Sequence, residues 1–114
     1  MSAITTHVLD ISKGRPAGGV PVRLEVKGAS GEWELLGEGR TDEDGRLRTL
    51  VPEGIRPLAA THRLTFDTAA YFDAQGVEGF YPEASIVFAV RDPAEHYHVP
   101  LLLSPYGYST YRGS

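Results

Sequence analysis

The chain is 114 residues long, carries 11 basic against 15 acidic side chains for a net charge of −4, and contains four histidines and no cysteine. At this length a single domain is expected, able to bury roughly two thirds of the surface that its unfolded chain exposes; the missing cysteines exclude a disulfide framework, a thiolate metal site and a cysteine nucleophile. Basic residues stand singly, which leaves no electrostatic footprint for nucleic acid or anionic lipid, and apolar runs such as Val99 to Leu103 are far too short to span a membrane.

The start, Met1-Ser2-Ala3-Ile4-Thr5-Thr6-His7, lacks the basic and apolar blocks of a signal peptide, and Tyr111-Arg112-Gly113-Ser114 is neither a peroxisomal nor a retention address, so a soluble cytoplasmic protein is expected. Thirteen Gly and eight Pro divide the chain into runs of five to eight residues, as in an all-β domain. Ile4 to Ile11 is the first expected strand, with His7 on the face of Leu9 and Ile11. After the turn residues of Lys13 to Gly19 comes the clearest alternation: Val20, Val22, Leu24 and Val26 on one face, Pro21, Arg23, Glu25 and Lys27 on the other. Glu32 to Gly39 follows. The Asp44-Gly45 pair then favours the positive φ of a tight hairpin, which leads into Arg46 to Val51 and on to Thr61 to Asp67. Thr68 to Gln75 is rich in helix formers and reads as a short helix, with Asp67 or Thr68 as N-cap and Gly76 as its stop. Ser85 to Arg91, His96 to Leu103 and Tyr106 to Arg112 complete eight strands, expected to close as one antiparallel two-sheet sandwich spanning residues 1–114.

Histidine is the side chain whose ordinary pKa lies nearest the working pH of a general acid or base. In His96-Tyr97-His98 the strand period puts both imidazoles on one face, roughly 7 Å apart at Cα, with Tyr97 opposite. Such a pair chelates zinc where a third ligand is supplied, here from His7, His62 or a carboxylate; a hydrogen-bonded or exposed role suits His96 better, since it follows the turn Asp92-Pro93-Ala94-Glu95. His7 reads either as a partly buried, satisfied side chain or as a proton carrier, and sequence spacing alone does not bring it to His98. Arg46 opens a strand directly after a turn, as a solvated edge charge or as a clamp for an anion or oxyanion. Tyr106, Tyr108 and Tyr111 suit a half-buried edge strand that pairs with another subunit.

Together, Thr6-His7-Val8-Leu9-Asp10, Asp44-Gly45-Arg46 and the run from His96-Tyr97-His98-Val99-Pro100 to Tyr111-Arg112-Gly113-Ser114 resemble the 5-hydroxyisourate hydrolases, the transthyretin-related family of purine catabolism. The resemblance runs from end to end, is strongest in the last nineteen residues, and is weak over residues 28–39 and 52–84. It implies a transthyretin-like β-sandwich of two four-stranded sheets, a homotetramer with active sites in a channel between subunits, and hydrolysis of 5-hydroxyisourate to 2-oxo-4-hydroxy-4-carboxy-5-ureidoimidazoline. No cofactor, metal, nucleic acid or membrane partner is implied. It assigns catalysis to His7, Arg46, His98 and Ser114, and substrate contacts to His7, Arg46, Tyr111, Arg112 and Gly113. In that assignment His7 is base or water-orienter, His98 is its proton-transfer partner held by Ser114, Arg46 binds substrate and developing charge, and Tyr111 packs on the ring. Opening a cyclic amide with water requires a base, an oxyanion donor and an acid for the leaving nitrogen, and two His and one Arg meet those needs. The competing expectation is a transthyretin-type carrier of a small aromatic ligand, which would share the fold but requires an apolar channel.

Overall fold

Alternating apolar residues build two facing sheets in the computed structural model, which describes residues 3–114. In chain order the strands are β1 (Ile4–Asp10), β2 (Arg15–Pro16), β3 (Pro21–Lys27), β4 (Trp33–Arg40), β5 (Arg46–Leu47), β6 (Thr61–Phe66), β7 (Ala84–Ala89), β8 (Tyr97–Ser104) and β9 (Gly107–Thr110), with helix α1 (Thr68–Asp73) between β6 and β7. One sheet runs β2-β1-β8-β9 with β5 paired to β1; the other runs β4-β3-β6-β7. Ile4 and Val8 of β1 and Val99, Leu101 and Leu103 of β8 turn inward to meet Val22 and Leu24 of β3 and Leu64 and Phe66 of β6 in one buried cluster. Burying each such side chain contributes roughly 1.5–3 kcal/mol, so this layer between the sheets holds the fold.

Helix α1 forms where the sequence predicts it. Asp67 caps it by accepting from the Ala70 amide at 3.0 Å, and Gly76 at φ +66° takes the left-handed conformation that lets the chain leave. The helix is fixed to the other sheet by Asp10, a buried carboxylate that accepts from the Tyr71 hydroxyl at 2.7 Å and from the Ser12 amide at 3.0 Å. These bonds hold the Asp10 carboxyl below its ordinary pKa although burial pushes the other way. Among the described residues no helix is long and apolar enough to cross a membrane.

Several expectations are corrected. The sandwich is not wholly antiparallel: β1 and β8 pair in parallel, from Ile4 opposite Tyr97 to Asp10 opposite Leu103. Antiparallel pairing follows from a short hairpin link, whereas these two strands are joined through the entire second sheet, which serves as the crossover that a parallel pair needs. The sheets hold five and four strands, because Arg15–Pro16 adds a two-residue strand on β1 inside what reads as a turn. The strand expected from Arg46 to Val51 stops at Leu47, after which Leu50 turns into the core. Its carbonyl then approaches Gly37 so closely that a Cβ there would sit 1.6 Å from the Leu50 oxygen. The last strand is shorter than Tyr106 to Arg112 and ends at Thr110.

Candidate active site

The outward face of the β1–β8 pair is where the chemistry-bearing residues meet. Parity sends Ile4, Thr6 and Val8 into the core, so Thr5 and His7 point outward; in β8 it sends Tyr97 and Val99 inward and His98 outward. Register completes the arrangement, setting His7 opposite both Arg46 of β5 and Pro100 of β8, and Thr5 opposite His98. Sequence spacing separates His7 from His98, and the parallel pairing unites them.

The turn before Arg46 is fixed by its own side chains. Asp42 accepts from the Asp44 amide at 2.9 Å and the Arg46 amide at 3.0 Å, bonds that hold its carboxyl below the usual range. Gly45 takes φ +76°, and an added Cβ would lie 2.3 Å from the Val8 carbonyl oxygen, so the turn lies directly against β1. This closeness lets His7 Nε2 donate to the Asp44 carbonyl at 2.9 Å. A carbonyl only accepts, so the neutral ring carries its proton on Nε2 and leaves Nδ1 bare.

His98 is fixed from both sides. Thr5 Oγ1 lies 2.8 Å from its Nδ1 and also 3.1 Å from Nε2 of His96, whose ring stacks with that of His98 at 6.5 Å between centroids. From the other side Gly113 donates its amide to the His98 carbonyl at 2.8 Å, and a Cβ on Gly113 would sit 2.5 Å from His98 Cδ2. Both His7 and His98 titrate below the ordinary value of 6.5. Burial is the leading cause for each, followed by the Arg46 guanidinium at His7 and by His7, His96, Arg46 and Arg48 at His98. Two neutral imidazoles beside a guanidinium are the outcome near neutral pH: acceptors for a proton, and a cation for developing negative charge.

The remaining predicted residues are placed differently. Ser114 is exposed and follows Gly113 beside His98, but the hydrogen-bond partner of His98 Nδ1 is Thr5 Oγ1. Arg112 is engaged with the Glu95 carboxylate at 3.1 Å, the His96 carbonyl at 3.3 Å and the face of Tyr97, which pins the chain end to the start of β8. Tyr111 lines a groove of about 350 Å³ between the β7 and β9 edges, together with Phe88, Tyr97 and Val99; His7, Arg46 and His98 are not in its lining. His62, weighed above as a metal ligand, is buried in the other sheet, and among the described residues no group of three His, Cys, Asp or Glu is arranged to hold a metal ion. Sequence reasoning missed Thr5 and Arg48, whereas the exposed, hydrogen-bonded role it gave His96 is the one observed, with Thr5 as the partner. Thr5 stands two positions before His7 on the same strand face, and that period was the available signal. A broad depression of about 980 Å³ lined by Arg48, Val51, Arg56 and His96 adjoins the cluster.

Comparison with known proteins follows the same division. The sequence profile described as the HIUase/Transthyretin family matches residues 4–113. The chain is 45% identical to the 5-hydroxyisourate hydrolase of Caulobacter vibrioides over 119 aligned residues, which cover 100% of both chains. Among solved structures it is similar to Klebsiella pneumoniae 5-hydroxyisourate hydrolase, with a TM-score of 0.84, 40% identity and coverage of 97% of this chain and 98% of that one. It is also similar to transthyretin from Sparus aurata, with a TM-score of 0.91 at 36% identity, covering 99% of this chain and 97% of that one. Backbone likeness therefore spans both hydrolase and transthyretin, and side chains must separate them.

Proposed function

The chain belongs to the HIUase/transthyretin family, and we propose that the cluster of His7, Arg46 and His98 is where it opens the six-membered ring of 5-hydroxyisourate. The activity is that of the hydrolases of urate degradation and not of a carrier. The observation that carries the site is the convergence of two imidazoles with lowered pKa and one guanidinium on a single strand face. A carrier of an apolar ring would gain nothing from that convergence.

In this reading water attacks the ring carbonyl carbon beside the scissile C–N bond. His7, whose Nε2 proton is committed to the Asp44 carbonyl, presents its bare Nδ1 to orient the water. Arg46, opposite His7, faces the oxyanion of the tetrahedral intermediate. His98 takes the water proton and delivers it to the ring nitrogen as the C–N bond breaks, giving a carboxyl and a ureido group. Gly113 lets the chain end lie against His98, which supports a role for Ser114 at the same ring. Tyr111 and Arg112 act from the inter-sheet groove and the Glu95 pair, holding that end in place. No cofactor enters any of these steps.

A homotetramer is part of the proposal. The sheets end on β7 and β9, whose outer edges carry no further strand, and Val87 and Tyr111 beside them are 58% and 56% exposed. Unpaired edges with exposed apolar side chains favour pairing with a second copy. The cytoplasm is the proposed compartment, a reducing environment being compatible with a chain that has no cysteine to oxidise. The test is to add protein whose light-scattering mass is near four times 12.4 kDa to freshly made 5-hydroxyisourate and follow its ultraviolet absorbance. Faster loss of substrate than in buffer is expected. Decay at the spontaneous rate would reject the reading.

A further inference from the structure

Proton transfer at His98 poses an electrostatic problem. If His98 takes a proton from water and keeps it, an imidazolium forms on a half-buried ring that already faces His7, His96, Arg46 and Arg48. Three of these belong to other strands or loops, and two are permanent cations, so a second route for the positive charge would lower the barrier.

Thr5 supplies that route. Its side chain is nearly fully buried, 4% exposed, and its hydroxyl reaches Nδ1 of His98 and Nε2 of His96 at 2.8 and 3.1 Å. A hydroxyl has one hydrogen, so when it donates to one imidazole it must accept from the other. The two rings are therefore locked into complementary tautomers. His96 lies at the exposed end of this chain of contacts, after Glu95, whose carboxylate is paired with Arg112.

We infer that Thr5 and His96 are positioning residues that relay protons for His98, so that the positive charge of the reaction forms on exposed His96 and not on half-buried His98. This rests on the ring-opening reading above. At rest His98 Nδ1–H donates to Thr5 Oγ1, Thr5 donates to His96 Nε2, and His98 Nε2 is bare. As Nε2 of His98 takes the proton of the attacking water, the Nδ1 proton passes to Thr5 Oγ1 and the original Thr5 hydrogen passes to His96 Nε2. His98 ends neutral with its proton on Nε2, the threonine hydroxyl is restored, and His96 carries the charge. When His98 gives its Nε2 proton to the leaving ring nitrogen, the same shifts run backwards and every proton returns.

The test compares Thr5→Val, Thr5→Ser and His96→Ala with the parent protein in the ultraviolet assay. Thr5→Val keeps the shape and removes the hydroxyl; it should lower kcat about 10-fold or more with KM within about twofold, while Thr5→Ser stays within about threefold of the parent. The acid limb of the kcat profile should move to lower pH in Thr5→Val, because His98, whose burial and cationic neighbours disfavour the imidazolium, then has to hold the charge itself. His96→Ala should lose a similar factor and recover part of it when free imidazole is added. Parent-like kcat and an unmoved profile in Thr5→Val overturn the relay, and so does an active His96→Ala that ignores imidazole, which also decides the matter if Thr5→Val fails to fold. Ring ¹⁵N shifts of the parent give a reading free of turnover: the relay requires a resting His98 protonated on Nδ1, and a resting His98 protonated on Nε2 overturns it. If the parent itself does not accelerate decay, the ring-opening reading fails; if only the variants are unaffected, the relay alone fails.

Discussion

The four-stranded and five-stranded sheets each carry histidine on a strand and use it in opposite ways. In β6, His62 shares parity with Leu64 and Phe66, so it is drawn into the core with 0% exposure; Nδ1–H donates to the Ala60 carbonyl at 2.9 Å, while Nε2 has no partner. In β8, His98 has the parity opposite to Val99 and Leu101 and stays on the outer face with Thr5 and Gly113 against it. The residue type is the same, and which face it occupies decides whether it is a liability or a tool. A buried nitrogen without a partner costs stability, whereas a half-buried one held by a hydroxyl has a defined tautomer and an open second nitrogen. A one-residue slip of either strand would exchange the two fates.

The sharpest way to break this contrast is to remove the outer imidazoles. His98→Asn and His7→Asn each keep a polar side chain but lose the titratable ring, so kcat should fall roughly 10²-fold or more with the assembly mass and melting curve retained. His62→Asn, placed in the core, should instead lower the melting temperature and spare kcat in the fraction that stays folded. Equal losses of kcat at all three positions would dissolve the distinction between the sheets.

A smaller effect tests how tightly the outer ring is held. Gly113 is where the chain end touches His98, and a methyl group there would meet Cδ2 at 2.5 Å, Cγ at 3.3 Å and Pro100 Cγ at 3.4 Å. Gly113→Ala should therefore displace the imidazole by roughly half an ångström or more and lower kcat about 10-fold, with a nearly unchanged melting temperature because Gly113 lies outside the core cluster. Unchanged turnover would show that His98 tolerates displacement, and that its position is not what the glycine protects.

The contrast was only partly legible in the sequence. Strand parity places His7 with Leu9 and Ile11 and His96 with His98, but it does not show that the His7 face is the outer one, since the core takes Ile4, Thr6 and Val8; the capped helix after β6 is written in Asp67 and Gly76, because these depend on local period and local turn chemistry. What joins His7 to His98 is a parallel pairing across most of the chain, and no local pattern encodes a partner at that separation. The end motif carried the family, yet the roles within it divide in space: Gly113 lies on His98 while Tyr111 and Arg112 turn to a groove and an ion pair. Residues after Leu47 alternate well enough to read as a strand, but the approach of Leu50 to Gly37 pulls the backbone off the ladder, a constraint set by tertiary packing alone. Thr5 was overlooked because a threonine in a strand is ordinary until two imidazoles converge on it.

The mildest effect, and the one that isolates the inner histidine, is on stability against pH. Burial holds His62 below its ordinary pKa of 6.5, so the unfolded chain takes up that proton before the folded protein does. Where the unfolded state binds more protons, stability falls as pH falls, by up to about 1.4 kcal/mol per pH unit for one group. The contribution of His62 is thus complete above pH 6.5 and is lost progressively below it. His62→Leu keeps a similar volume against Phe88 and removes the titration; the Ala60 carbonyl still accepts from the Val90 amide at 3.0 Å, so the variant leaves no new orphan there. Denaturant curves should find parent and variant close at about pH 8 and the variant increasingly more stable toward about pH 5, the gap opening below the ordinary histidine pKa. His7 and His98, also lowered, add their own slope to both proteins and cancel in the difference. A gap that stays constant with pH would mean that the fold admits a charged His62, and that the inner sheet treats its histidine no differently from the outer one.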